Sequence, residues 1–215
     1  MTFFIVIIGW IFSLCLHEFS HALVAYFGGD TSVREKGYLT FNPLKYTNPV
    51  LSLLVPMVFL LLGGIGLPGG AVYIEKWRLH SKRWESAVSL AGPAANLLLA
   101  VVLAVALRFA PVTGGGIWPA VGFLALLEIT AVILNLIPIP PLDGYGIIAP
   151  YLPVPLRQRL DQAGFMLLLL VFAVLWYVPF ISNAFWSLNY WLLNLFGIPL
   201  PLAAQGLSLF QFWRR

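Results

Sequence analysis

Residues 2–27 read TFFIVIIGWIFSLCLHEFSHALVAYF, followed by Gly28-Gly29-Asp30. The run is largely apolar, and its only ionisable cluster is His17-Glu18-Phe19-Ser20-His21. At about 1.5 Å per residue it exceeds the roughly 30 Å of a bilayer core, and the paired glycines are a good helix stop. Positions i and i+4 share one helix face, so His17 and His21 can grip one zinc ion, with Glu18 placed to act as general base. In a soluble helix the same string can arise without metal. Here, two histidines and a glutamate would lie uncompensated in lipid, which is costly, and the metal reading is preferred. This is a metal-hydrolase site expected within a membrane.

The rest of the composition agrees with a membrane setting. The chain is 60% hydrophobic and 9% charged, where soluble domains carry about 25% charged residues. Mean hydropathy is +0.92. The net charge of +4 reads as topology, because the basic residues flank apolar segments and no basic stripe interleaves with exposed aromatics. Nucleic acid is therefore not an expected partner; the bilayer is. The single Cys15 excludes an internal disulfide and a cysteine-rich metal site, and it reads as a small buried residue. A cleavable signal peptide is not expected, since the first segment lacks a basic start.

Further spans are expected at 87–109 and 118–137, with apolar segments at 165–181 and 185–196, the last one short for a full crossing. Residues 50–62 are apolar but short, and Gly63–Gly70 is too glycine-rich to continue a helix. Short strands are expected at Gly37–Phe41 and Ala71–Ile74. If 50–70 is a re-entrant hairpin, Arg34, Lys36, Lys45, Lys76, Arg78, Lys82, Arg83, Arg157 and Arg159 all fall on one side, cytoplasmic by the positive-inside rule. A full crossing by 50–62 would split them, so the hairpin is preferred. The expected class is an all-α polytopic membrane protein of about five to six membrane segments. The expected division is a catalytic core over 1–152 and C-terminal membrane segments over 153–215.

A catalytic zinc usually takes three protein ligands. His80 lies in a charged loop and reads as a surface residue. Asp143 is the stronger candidate. It follows the third span within Asn135-Leu136-Ile137-Pro138-Ile139-Pro140-Pro141-Leu142-Asp143-Gly144, and in the hairpin topology it returns to the depth of His17 and His21.

With these residues in view, the chain resembles the site-2 protease family of intramembrane zinc metalloproteases. His17–Ala22 resembles the family's first motif. Asn135 through Asp143-Gly144 resembles its second. Ala91-Gly92-Pro93-Ala94-Ala95-Asn96 resembles the Gly-Pro-x-x-Asn stretch between them. Gly29-Asp30 and Leu39–Leu44 resemble the linker of compact members. The resemblance implies Zn2+ held by His17, His21 and Asp143, with Glu18 as base. It also implies that Asn96 binds substrate backbone or stabilises an oxyanion; an interhelical hydrogen bond is the plainer role for Asn96, as close packing is for Gly92. Asn135 is expected to brace the Asp143 loop or cap its helix. A compact member is expected, with no helix ahead of the zinc motif and no accessory domain. Tyr145 stands where the family commonly has a second glycine, which puts the turn geometry in question.

Glu128 is the other carboxylate at membrane depth and lies outside these motifs. It reads as a protonated partner of a neighbouring helix, or else as a polar lining for water entry. The expected activity is zinc-dependent cleavage of membrane-spanning or membrane-proximal peptides, in a prokaryotic plasma membrane and near its cytoplasmic side. The strand edge at Ala71, Val72 and Tyr73 is expected to pair with unwound substrate. Two rivals are a metal transporter, which would spread ligands along a path, and a non-catalytic escort of membrane helices, which would have no use for Glu18.

Overall fold

The computed structural model describes residues 1–46, 57, 58, 60, 61, 72–111 and 114–214. Apolar length sets its main elements. Helix α1 (Thr2–Phe27) ends where Gly28 caps it and Gly29 takes a positive φ of 116°. A short helix, α2 (Ser32–Glu35), leads into the polar segment. Helix α3 (Lys82–Leu107) starts after Ser81, with Glu85 favourably placed in its first turn, and carries Pro93 inside it. Helix α4 (Trp118–Asn135) begins with Pro119 in its first turn. After the proline-rich turn come α5 (Asp143–Ile148), α6 (Val154–Tyr177), α7 (Pro179–Leu195) and α8 (Leu200–Phe210). Four of these, α1, α3, α4 and α6, are long and apolar enough to cross a membrane; α7 and α8 add a fifth candidate, bent by 118° at their break.

Helices α1, α3 and α4 pack on one another and form the core. The most apolar stretch of α4 is 83% buried, so α4 is the central post, whereas α6 is largely exposed. Small residues let backbones approach. A Cβ at Gly122 would meet the Ala203 backbone at 3.1 Å, and one at Gly206 would collide with the Pro119 carbonyl. In lipid, where apolar burial gives little drive, such close packing is what holds helices together.

The chain departs from its expected elements in two places. No strand forms among the described residues. Residues 37–41 are turn and bend, and the described part of 71–74 is extended without a ladder partner. The reason is visible in the donors: the Val72 N–H goes to the Glu18 carboxylate (3.0 Å) and the Glu75 N–H to Asp30 (2.7 Å). Backbone donors spent on side chains cannot build a sheet. Second, the chain past 196 forms a helix that the expected apolar segments do not include. Pro199 and Pro201 open α8, which folds back along α4.

The expected hairpin over 50–70 lies outside the described residues, apart from Met57, Val58, Leu60 and Leu61, which are helical. Its described flanks are informative. The Tyr46 hydroxyl donates to the Cys15 carbonyl (3.1 Å) and the Val72 N–H to Glu18, so the chain leaves and rejoins α1 within one turn. His80 N–H then donates to the Gly28 carbonyl (2.8 Å), placing the start of α3 beside the end of α1.

Candidate active site

Helical spacing puts both α1 histidines on the inner face, and both are buried. His17 Nε2 lies 3.0 Å from His21 Nε2. The turn after α4 delivers Asp143 at the start of α5. Its Oδ2 is 3.1 Å from His17 Nε2 and its Oδ1 is 3.4 Å from His21 Nε2. Among the described residues these three form the one group that could hold a metal ion. A tetrahedral zinc with bonds of about 2.0–2.1 Å sets its ligands roughly 3.3–3.4 Å apart, close to the spacings here.

The other ring nitrogens explain why a cation fits. His21 Nδ1 is 2.6 Å from the Val88 carbonyl, which only accepts, so that nitrogen carries the hydrogen. His17 Nδ1 bonds Asn96 Oδ1. The Asn96 amide group donates to Glu128 Oε2 (2.6 Å) and contacts Ser13 Oγ (2.9 Å), which turns its oxygen toward His17. Both Nε2 atoms therefore present lone pairs to the same point as a carboxylate. Three acceptors that close together need a positive charge between them, and this outer support is what metal-bound histidines commonly have. Gly92 of α3 supplies the room. A Cβ there would press on His21 Nε2 and the His17 ring, into the space an ion would occupy.

Glu18 is buried beside the pair, and its carboxylate accepts the Val72 N–H. All four groups open onto a cleft of about 770 Å³. Val72, Tyr73, Ile74 and Asn135 line it, and Phe165, Leu168 and Phe172 of α6 form an apolar wall. Ala71 lies outside the described residues. The extended segment is pinned from below. Lys36 Nζ meets Glu75 Oε1 at 2.8 Å and Arg78 Nε meets Oε2 at 2.5 Å. The Lys36 hydrogen bond, with Arg78 adding to it, holds the Glu75 carboxyl down at about 2.

The structure thus brings His17, His21, Asp143 and Glu18 together. It turns the Asn96 amide to His17, Ser13 and Glu128. His80 is exposed, away from the cluster. Tyr145 sits within α5 and donates to Asp161 (2.8 Å), so the turn accommodates a side chain; Gly144, by contrast, packs directly on the Leu136 carbonyl. Sequence reading missed Ser13, the Val88 carbonyl, the clearance role of Gly92 and the link from Glu128. Ser13 lies four residues before His17, a spacing that could have flagged it. A backbone carbonyl such as that of Val88 gives no such signal.

The chain is 46% identical over 214 residues to "Putative zinc metalloprotease Rip2" of Mycobacterium tuberculosis, covering 99% of this chain and 82% of that protein. The Rip2 of Mycolicibacterium smegmatis is also 46% identical, over 216 residues with the same coverage. "Putative zinc metalloprotease YwhC" of Bacillus subtilis is 32% identical over 197 residues, 85% of this chain and 84% of that one. No family model and no solved structure matches. Near-full-length identity at this level, together with four long apolar helices, leaves one reading of its ancestry: the chain is an integral membrane protein that belongs to the site-2 protease family.

Proposed function

We propose that this protein is a zinc-dependent endopeptidase that cleaves membrane-spanning or membrane-proximal peptides from a site near the cytoplasmic surface. The observation that carries the reading is the convergence of His17, His21 and Asp143 beside Glu18, in a cleft set among apolar helices. Zinc held by those three side chains would supply a Lewis acid that acidifies water and polarises a peptide carbonyl. Glu18 takes the proton of the attacking water and passes it to the leaving amine. Val88, through its carbonyl, keeps His21 in the tautomer that offers Nε2.

The substrate must present an extended backbone, since a helix hides its carbonyls in its own hydrogen bonds. The segment Val72–Ile74 is already extended along the cleft. In this reading an unwound substrate pairs with it by strand addition. The Val72 N–H, which donates to Glu18, passes to a substrate carbonyl and leaves Glu18 free to act.

The decisive experiment compares purified wild type with Glu18→Gln for zinc content and for cleavage of a membrane peptide, with a chelator control. Cleavage should fall by about 10²–10⁴-fold while zinc is retained. Equal turnover by the two proteins would remove Glu18 from its role. A wild type that binds no zinc would overturn the reading altogether.

A further inference from the structure

The hydrolytic reading leaves the buried Glu128 unused. Glu128 sits in the middle of α4, fully buried, on a helix that carries none of the three metal-binding side chains. A carboxyl group at membrane depth is costly and needs a reason. Its Oε2 accepts from two donors, Ser13 Oγ of α1 at 2.8 Å and Asn96 Nδ2 of α3 at 2.6 Å. Asn96 Nδ2 also lies 2.9 Å from Ser13 Oγ. Oε1 has no partner. The three side chains form a closed polar knot between the three core helices.

The knot has a direction. An amide has one accepting end and one donating end. With the Asn96 NH2 claimed by Glu128 and Ser13, its Oδ1 faces His17 Nδ1 and accepts from it. Flipping the amide would set its oxygen against the Glu128 carboxylate and its NH2 against a ring N–H. The hydrogen on His17 thus stays on Nδ1, and the lone pair stays on Nε2, where Asp143 and His21 converge.

We infer that Glu128 is a positioning residue of the metal site: through Asn96 it fixes the tautomer and orientation of His17. The inference rests on the metallopeptidase reading and adds to it a buried acid outside the sequence motifs. Ser13 contributes by filling the same oxygen and so keeping the carboxyl group from turning.

The test measures zinc affinity and peptide cleavage for the full chain as wild type, Glu128→Gln, Glu128→Leu, Asn96→Ala and the Glu128→Leu/Asn96→Ala double variant. The amide oxygen introduced by Glu128→Gln can still accept from Asn96, so that variant should stay within about threefold of wild type. Glu128→Leu should weaken zinc binding by about 10–100-fold, as loss of outer-shell support does elsewhere. Asn96→Ala should do the same, and the double variant should be no worse than the weaker single, because both cut one chain of contacts. Unchanged zinc affinity in Glu128→Leu, with only a lower unfolding temperature, would reduce Glu128 to an interhelical bolt and overturn the inference. Fully additive losses would also overturn it. If Glu128→Leu does not fold, nitrogen NMR of imidazole-labelled wild type decides: His17 protonated on Nε2 in the zinc-free protein would overturn it, and protonation on Nδ1 supports it. Failure of wild type itself to bind zinc would instead sink the parent reading.

Discussion

Gly92 has no side chain, and the space a side chain would fill is the space a cation needs. Gly92→Ala places a methyl group against both histidine rings. Overpacking of this kind costs about 1–3 kcal/mol, so zinc binding should weaken by about one to two powers of ten. Gly115→Ala is the matched control, since no described residue lies within 4 Å of a Cβ there. Zinc titration of the two variants checks it; equal affinities would show that the rings can move aside. The contrast with His17 and His21 shows which residues sequence reveals. Their shared face follows from spacing along one helix, so the pair was legible. Asp143 was legible because a span and a turn bring it back to their depth. Gly92 and Glu128 owe their roles to distances between helices. A local pattern carries no record of those, so they read as packing and as an isolated acid.

Among the four long apolar helices, α6 is the one held least by burial. Its polar anchors cluster at its first turns. Arg157 reaches Glu85 of α3 at 2.6 Å, Lys76 meets the same carboxylate oxygen at 3.2 Å, and Tyr145 of α5 donates to Asp161. Farther along, α6 supplies the apolar wall of the cleft. Partly exposed ion pairs add little stability, about 0–1 kcal/mol, but this one sets where a wall stands. Arg157→Ala combined with Tyr145→Phe should therefore leave the unfolding temperature within a few degrees. It should broaden the spin-label distance distribution between the exposed positions Leu98 and Leu169. An unchanged distribution would assign the wall's position to apolar contacts alone. Long apolar helices were legible from their length and hydropathy. The strands were not correctly read, because Val72 and Glu75, at the two ends of the extended segment, spend their N–H donors on Glu18 and Asp30. Helix α8 was missed because its partner, α4, lies far away in sequence.

At the scale of the molecule, the contacts sort charge by end. Lys36 meets Glu75, His80 meets Gly28, Arg157 meets Glu85 and Asp143 meets His17, so the basic segments around 34–36, 76–83 and 157–159 share the end that carries the cleft. Arg108 lies at the far end of α3. Phe212 and Trp213 pack edge-on against Phe3, which puts the C-terminal residues beside the start of α1, also far from the cleft. Basic residues favour the cytoplasmic side, so the cleft end should face the cytoplasm and the loop around Gly115 the outside. In a Cys15→Ala background, single cysteines at Gly115 and Arg34 report this directly, both positions being exposed. A membrane-impermeant maleimide applied to intact cells should label the Gly115→Cys variant and spare Arg34→Cys until the membrane is opened. The reverse pattern would place the cleft outside. Because Tyr46 and Val72 rejoin α1 within one turn, labelling at Arg34 and at Lys82 should agree; opposite results would mean that the two basic segments lie on different sides and that the charge asymmetry does not orient this chain.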